Sequence, residues 1–146
     1  MIKHKSGSLT FYIPEATAHS GAHFFDAGIS AGFPSPAEDF KEERLSLDEA
    51  LVKNKEATFY ARVSGQSMIG AGLDDNDLLV IDRSLEPENN KIAVCFLDGE
   101  FTVKRLRVEK DEVWLQPENP NYPIIKITED NNFLIWGIVT NVIKKV

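Results

Sequence analysis

Two residue types, set far apart in this chain, form a pair suited to nucleophilic catalysis. Ser67 lies in the stretch Val63-Ser64-Gly65-Gln66-Ser67-Met68, where the strand-like run Thr58-Phe59-Tyr60-Ala61-Arg62-Val63 gives way to a loose, glycine-bearing segment. A serine hydroxyl is a weak nucleophile at neutral pH and needs a neighbouring base to take its proton. The three histidines, His4, His19 and His23, all precede Lys41, and no histidine follows it. The base in the remaining chain must be another group, and lysine is the usual substitute. Lys104 sits in the β-patterned run Glu100-Phe101-Thr102-Val103-Lys104-Arg105-Leu106, directly after Asp98-Gly99. Alternation puts Thr102, Lys104 and Leu106 on one face and Phe101, Val103 and Arg105 on the other. Between Val103 and Leu106 the amine would be partly desolvated, which lowers its pKa and frees a lone pair. Arg105 cannot serve, because a guanidinium stays protonated. Taken singly, each residue has a plainer reading: a turn serine beside glycine, and a strand lysine with its head in water.

Four motifs in order decide between these readings. Ser64-Gly65-Gln66-Ser67-Met68 and Asp98-Gly99-Glu100-Phe101-Thr102-Val103-Lys104 are joined by Gly32-Phe33-Pro34-Ser35-Pro36-Ala37 and by Pro117-Glu118-Asn119-Pro120-Asn121-Tyr122-Pro123. From about Gly32 to the C-terminus the chain resembles a UmuD-like member of the LexA/UmuD (S24-type) family of self-cleaving Ser/Lys peptidases. The resemblance implies that Ser67 is the nucleophile and Lys104 its base, with backbone N–H groups near Gln66 and Ser67 binding the oxyanion. It also implies a cut at Ala31-Gly32, needing no cofactor or metal. The trimmed form would act in SOS mutagenesis as a homodimer and accessory subunit of a UmuC-like Y-family translesion polymerase. A RecA filament on single-stranded DNA would trigger the cut.

The elements that must position the pair follow from pattern. The expected fold is mainly β, a compact twisted sheet domain over residues 41–146 with a flexible N-terminal arm over residues 1–40. The arm holds all three histidines and too few apolar residues, Phe24, Phe25, Ile29 and Phe33 among them, to build a core. Within it Ala31 and Gly32 are small enough for a strand to press into a narrow cleft, and Phe33-Pro34 keeps the chain extended. His19 and His23 are four apart, but Gly21 between them and the lack of further ligands argue against a metal site. Ser46-Leu47-Asp48-Glu49 is a capping-box pattern opening a helix to about Lys53, with Leu47, Ala50 and Leu51 inward. Asp74-Asp75-Asn76-Asp77 lacks calcium-loop ligands further on and reads as a solvated turn before the strand Leu78–Ile81. Ile92–Leu97 and Phe101–Val108 flank Asp98-Gly99, a hairpin signal; Cys95, alternating with Ala93 and Leu97, reads as a small buried hydrophobe. Glu112–Gln116, Ile124–Ile127 and Phe133–Val142 complete the sheets, and Pro117–Pro123 is a stiff connection between two of them.

Composition narrows the function classes. The chain has 146 residues and a formal net charge of −7, which disfavours broad DNA binding through clustered cations. No run approaches the roughly 18 apolar residues of a membrane span, and the start lacks the apolar core of a secretory signal. The single cysteine precludes an internal disulfide and fits a reducing cytoplasm. No helix-turn-helix pattern precedes the body, so direct sequence-specific DNA reading in the manner of a LexA-like repressor is not expected. Signal peptidases, which use a similar dyad, need a membrane anchor. A polymerase-binding adaptor would need the fold but neither Ser67 nor Lys104.

Overall fold

Runs of alternating apolar residues become strands, with small shifts from their predicted bounds. The computed structural model describes residues 3–6, 9–13, 22–25, 31–32 and 42–146. Its strands are β1 (Lys3–Ser6), β2 (Leu9–Tyr12), β3 (Ala22–Phe25), β4 (Glu42–Leu45), β5 (Thr58–Val63), β6 (Leu78–Asp82), β7 (Ile92–Leu97), β8 (Glu100–Glu109), β9 (Glu112–Gln116), β10 (Ile125–Lys126) and β11 (Phe133–Ile143), with one short helix, α1 (Leu47–Leu51). The chain is mainly β, as expected. Among the described residues nine strands form one antiparallel sheet in the order β1-β2-β5-β6-β11-β7-β8-β9-β10, and β3 pairs with β4.

The period of two along each strand divides the buried side chains between two clusters. Leu9, Phe11, Ala61, Met68, Leu73, Leu79, Ile81, Val94 and Val103 make the larger cluster. Ala93, Cys95, Leu106, Leu115 and Ile138 make the other. Within β7, then, Val94 serves one cluster while Ala93 and Cys95 serve the other. The Asp98-Gly99 hairpin forms as predicted, with φ of 48° and 93°, the left-handed pair that a tight turn between twisted strands requires. Asp98 accepts hydrogen bonds from Asn131 and from the Asn132 backbone, tying the β7–β8 hairpin to the start of β11. The register of β11 slips twice, between Ile135 and Gly137 against β7 and between Val139 and Asn141 against β6. Gly137 is needed there: a Cβ would lie 2.6 Å from Ile81 Cγ2.

The domain boundaries differ from the sequence reading. Two compact units divide the chain, one from Met1–Glu15 and Asn54–Val146, the other from Ala16–Lys53. The expected arm over residues 1–40 therefore does not hold as one segment. Its first part is sheet, because β2 pairs with β5 and buries Leu9 and Phe11 in the larger cluster. The expected body over residues 41–146 loses β4 and α1 to the second unit, since β4 takes its hydrogen bonds from β3. Helix α1 ends at Leu51, its cap residue Ser46 makes no side-chain cap bond, and Leu47, predicted inward, is exposed. The acidic turn is not wholly solvated either: Asp77 is buried and paired with Lys144. The strand predicted over Ile124–Ile127 shortens to β10, which lies at the sheet edge. His19 and Phe33-Pro34 lie outside the described residues, as does the side chain of His23.

Candidate active site

Strand β5 delivers the serine. Where it ends, the Val63 N–H donates to the Asp77 carbonyl and the Val63 carbonyl accepts from Asn76 N–H. Gly65 then turns at φ 106°, a left-handed conformation that glycine adopts without penalty, and its N–H donates to Asp75 Oδ1 at 2.8 Å. Met68, 3% exposed, anchors the far side of the turn in the core. Ser67 is left half-buried between these two attachments.

Strand β8 delivers the lysine, and the two side chains meet. Lys104 Nζ lies 3.1 Å from Ser67 Oγ. It also lies 2.7 Å from Thr102 Oγ1 and 3.1 Å from the Val103 carbonyl oxygen. Only 7% of Lys104 is exposed, and burial lowers its pKa below the ordinary lysine value. The arrangement suits a neutral amine. A neutral amine would give its two N–H bonds to the Thr102 hydroxyl and the Val103 carbonyl and keep its lone pair for the Ser67 hydroxyl proton. Cys95 lies in the strand opposite, its residue paired with Thr102. Fully buried, its thiol is pushed up to about 12, so it stays protonated and is the inert hydrophobe expected.

A third segment holds the Ser67 turn from behind. In the loop after β9, the Glu118 N–H donates to the Ser67 carbonyl at 2.8 Å, and the Glu118 carbonyl accepts from Gly70 N–H at 2.7 Å. Asn119, 8% exposed, donates from Nδ2 to the Gln66 carbonyl at 2.9 Å and accepts from Asn121 N–H through Oδ1. Arg105, on the opposite face of β8 from Lys104, pairs with the Glu118 carboxylate. Among the described residues no peptide bond is cis, and in a trans peptide the C=O and N–H point in opposite directions. Pinning the Gln66 carbonyl on Asn119 therefore aims the Ser67 N–H away from the loop. Among the described residues that N–H has no acceptor.

Of the residues singled out in the sequence, Ser67 and Lys104 are brought into hydrogen-bond contact, with Gln66 beside them. Ala31 and Gly32 belong to the second unit, where both are exposed. The contributions of Thr102, Glu118 and Asn119 were not read from sequence. Thr102 had a usable signal, its place two residues before Lys104 on the same face. Asn119 had none, being 53 residues from its partner. Among the described residues no group of three or more His, Cys, Asp or Glu side chains could hold a metal, and no helix is long and apolar enough to cross a membrane.

The profile of the family described as peptidase S24-like matches residues 23–140. The chain belongs to that family. It is 41% identical over 131 residues to the protein MucA of Salmonella typhimurium, covering 87% of this chain and 89% of the relative. To the protein SamA of the same species it is 42% identical over 126 residues, covering 86% and 87%. LexA repressor 1 of Geobacter sulfurreducens is 38% identical over 115 residues, covering 78% of this chain and 56% of the repressor. The chain is thus a UmuD-like member of a family of self-cleaving serine peptidases.

Proposed function

We propose that Ser67 and Lys104 cut the Ala31-Gly32 bond of this protein, and that the trimmed chain serves SOS mutagenesis. The reading is carried by one observation: a buried lysine whose two other neighbours are acceptors, 3.1 Å from the hydroxyl of Ser67. Neutral Lys104 takes the proton of Ser67 as Oγ attacks the Ala31 carbonyl carbon. The N–H groups of Gln66 and Ser67 stabilise the oxyanion of the tetrahedral intermediate. Lys104 then passes its proton to the Gly32 nitrogen as the peptide bond breaks, leaving residues 1–31 as an ester on Ser67. Water attacks that ester with Lys104 again as base, freeing the Ala31 carboxylate and restoring the dyad. Exposure of Ala31 and Gly32 suits a bond that must enter a cleft. The similarity to MucA and SamA supports a place for the trimmed homodimer beside a UmuC-like Y-family translesion polymerase, with a RecA filament favouring the cleavable conformer.

The test is incubation of purified full-length protein followed by N-terminal sequencing of the larger product. It should begin Gly32-Phe33-Pro34, and Ser67→Ala and Lys104→Ala should each stop its formation. A different start removes the bond from the reading, and cleavage in Ser67→Ala removes the nucleophile. An intact chain under all conditions would leave an adaptor without peptidase activity.

A further inference from the structure

The proposed cut separates β2 covalently from the sheet that it helps to build. Strand β2 lies between β1 and β5, and its Leu9, Thr10, Phe11 and Tyr12 pair with Val63, Arg62, Ala61 and Tyr60. Leu9 is 1% exposed and Phe11 7%. The Phe11 ring stands edge-on to Phe101 and to Trp136, each at 5.0 Å between centroids. All these partners follow Gly32 in sequence, whereas β1 and β2 precede Ala31.

We propose that β1–β2 is a replaceable strand ligand. On this inference, which rests on the cut at Ala31-Gly32, the released fragment of residues 1–31 stays on β5 by noncovalent contacts after the bond is broken. Its departure is a second, separate step. That step turns β5 into a sheet edge, with the hydrogen-bonding row once met by β2 open and an aromatic face beside it. Such an edge accepts an extended segment, with main-chain bonds giving affinity and pockets for alternate side chains giving selectivity. The pockets here are those of Leu9 and Phe11, two residues apart on one face, so the occupant that fits is the fragment itself.

The experiment uses the full chain with Ser67→Ala and a site-specific protease sequence inserted between Ala31 and Gly32. Both pieces then form whether or not the dyad works, so failure of self-cleavage and failure of this inference are distinguishable. After cutting, the two pieces should co-elute in gel filtration under native conditions. A synthetic peptide of residues 1–13 in excess should displace the fragment, and the same peptide with Phe11→Ala should need at least tenfold more. Complete separation of the pieces, with no rebinding of a labelled 1–13 peptide, would overturn the inference. Equal competition by the two peptides would overturn it as well. Placing the substitution in the peptide keeps the folding of the protein out of the comparison.

Discussion

At Lys104 the proton state decides, on the proposed mechanism, whether the pocket can react. An ammonium there donates to Thr102, Val103 and Ser67 together; a neutral amine keeps two of those bonds and turns its lone pair on the hydroxyl. Burial favours the neutral form, since desolvation penalises the charge. The rate of untriggered cleavage should therefore rise with pH, about tenfold per unit, and level off at the lowered pKa of Lys104. First-order loss of full-length protein between pH 6 and 10, with folding checked at each point, measures it; a flat or falling profile would exclude a lysine base. Thr102→Val removes an acceptor that stabilises the charged amine and fixes its rotamer. It should lower the plateau rate about tenfold or more and move the levelling pH downward. An upward move would mean that the hydroxyl does not hold the ammonium. The pairing of Ser67 with Lys104 could be anticipated because few side chains can do the proposed chemistry and histidine is missing from the body. The contact of Thr102 was not, because its place on the face of Lys104 does not by itself say that its hydroxyl meets the amine.

The elements were legible where pairing is local. The Asp98-Gly99 hairpin and strands β5 to β9 follow from alternation and turn chemistry over a few neighbouring residues. Asp77 was misread as solvated because its partner Lys144 is 67 residues away. The grip of Asn119 on the nucleophile turn was hidden for the same reason. Asn119→Asp keeps the acceptor for Asn121 N–H and loses the donor to the Gln66 carbonyl. If that bond sets the Ser67 N–H for the oxyanion, the plateau rate should fall at least tenfold with the levelling pH unchanged. A shifted levelling pH with an unchanged plateau would place the effect on Lys104 instead. Strand β11 offers a test of packing alone. In Gly137→Ala the new methyl would meet Ile81 Cγ2 at 2.6 Å and Arg83 Cγ at 3.2 Å. Overpacking of this kind should lower stability by about 1–3 kcal/mol in urea unfolding, and an unchanged midpoint would show that β11 can shift.

At the scale of the molecule, the division into an arm and a body was the least legible feature. Composition alone set residues 1–40 apart, yet Leu-Thr-Phe-Tyr in β2 completes a sheet whose next strand begins at Thr58. Four residues carry too little periodicity to announce a partner so distant in sequence. Burial of Lys104 has a further effect, on proton linkage across folding. Its pKa is lowered in the fold and returns to about 10.4 when the chain unfolds. Between those two values the unfolded chain binds more protons than the folded one, so stability must rise with pH across that window. Below it, the fold carries the full cost of a buried ammonium. Lys104→Met removes that dependence and, on the proposed mechanism, the peptidase activity with it. The melting temperature of the wild type, measured relative to Lys104→Met, should climb as pH is raised through the window. The same burial that on the proposed mechanism readies Lys104 to act as a base thus makes its own contribution to stability smallest where the amine is charged and unreactive.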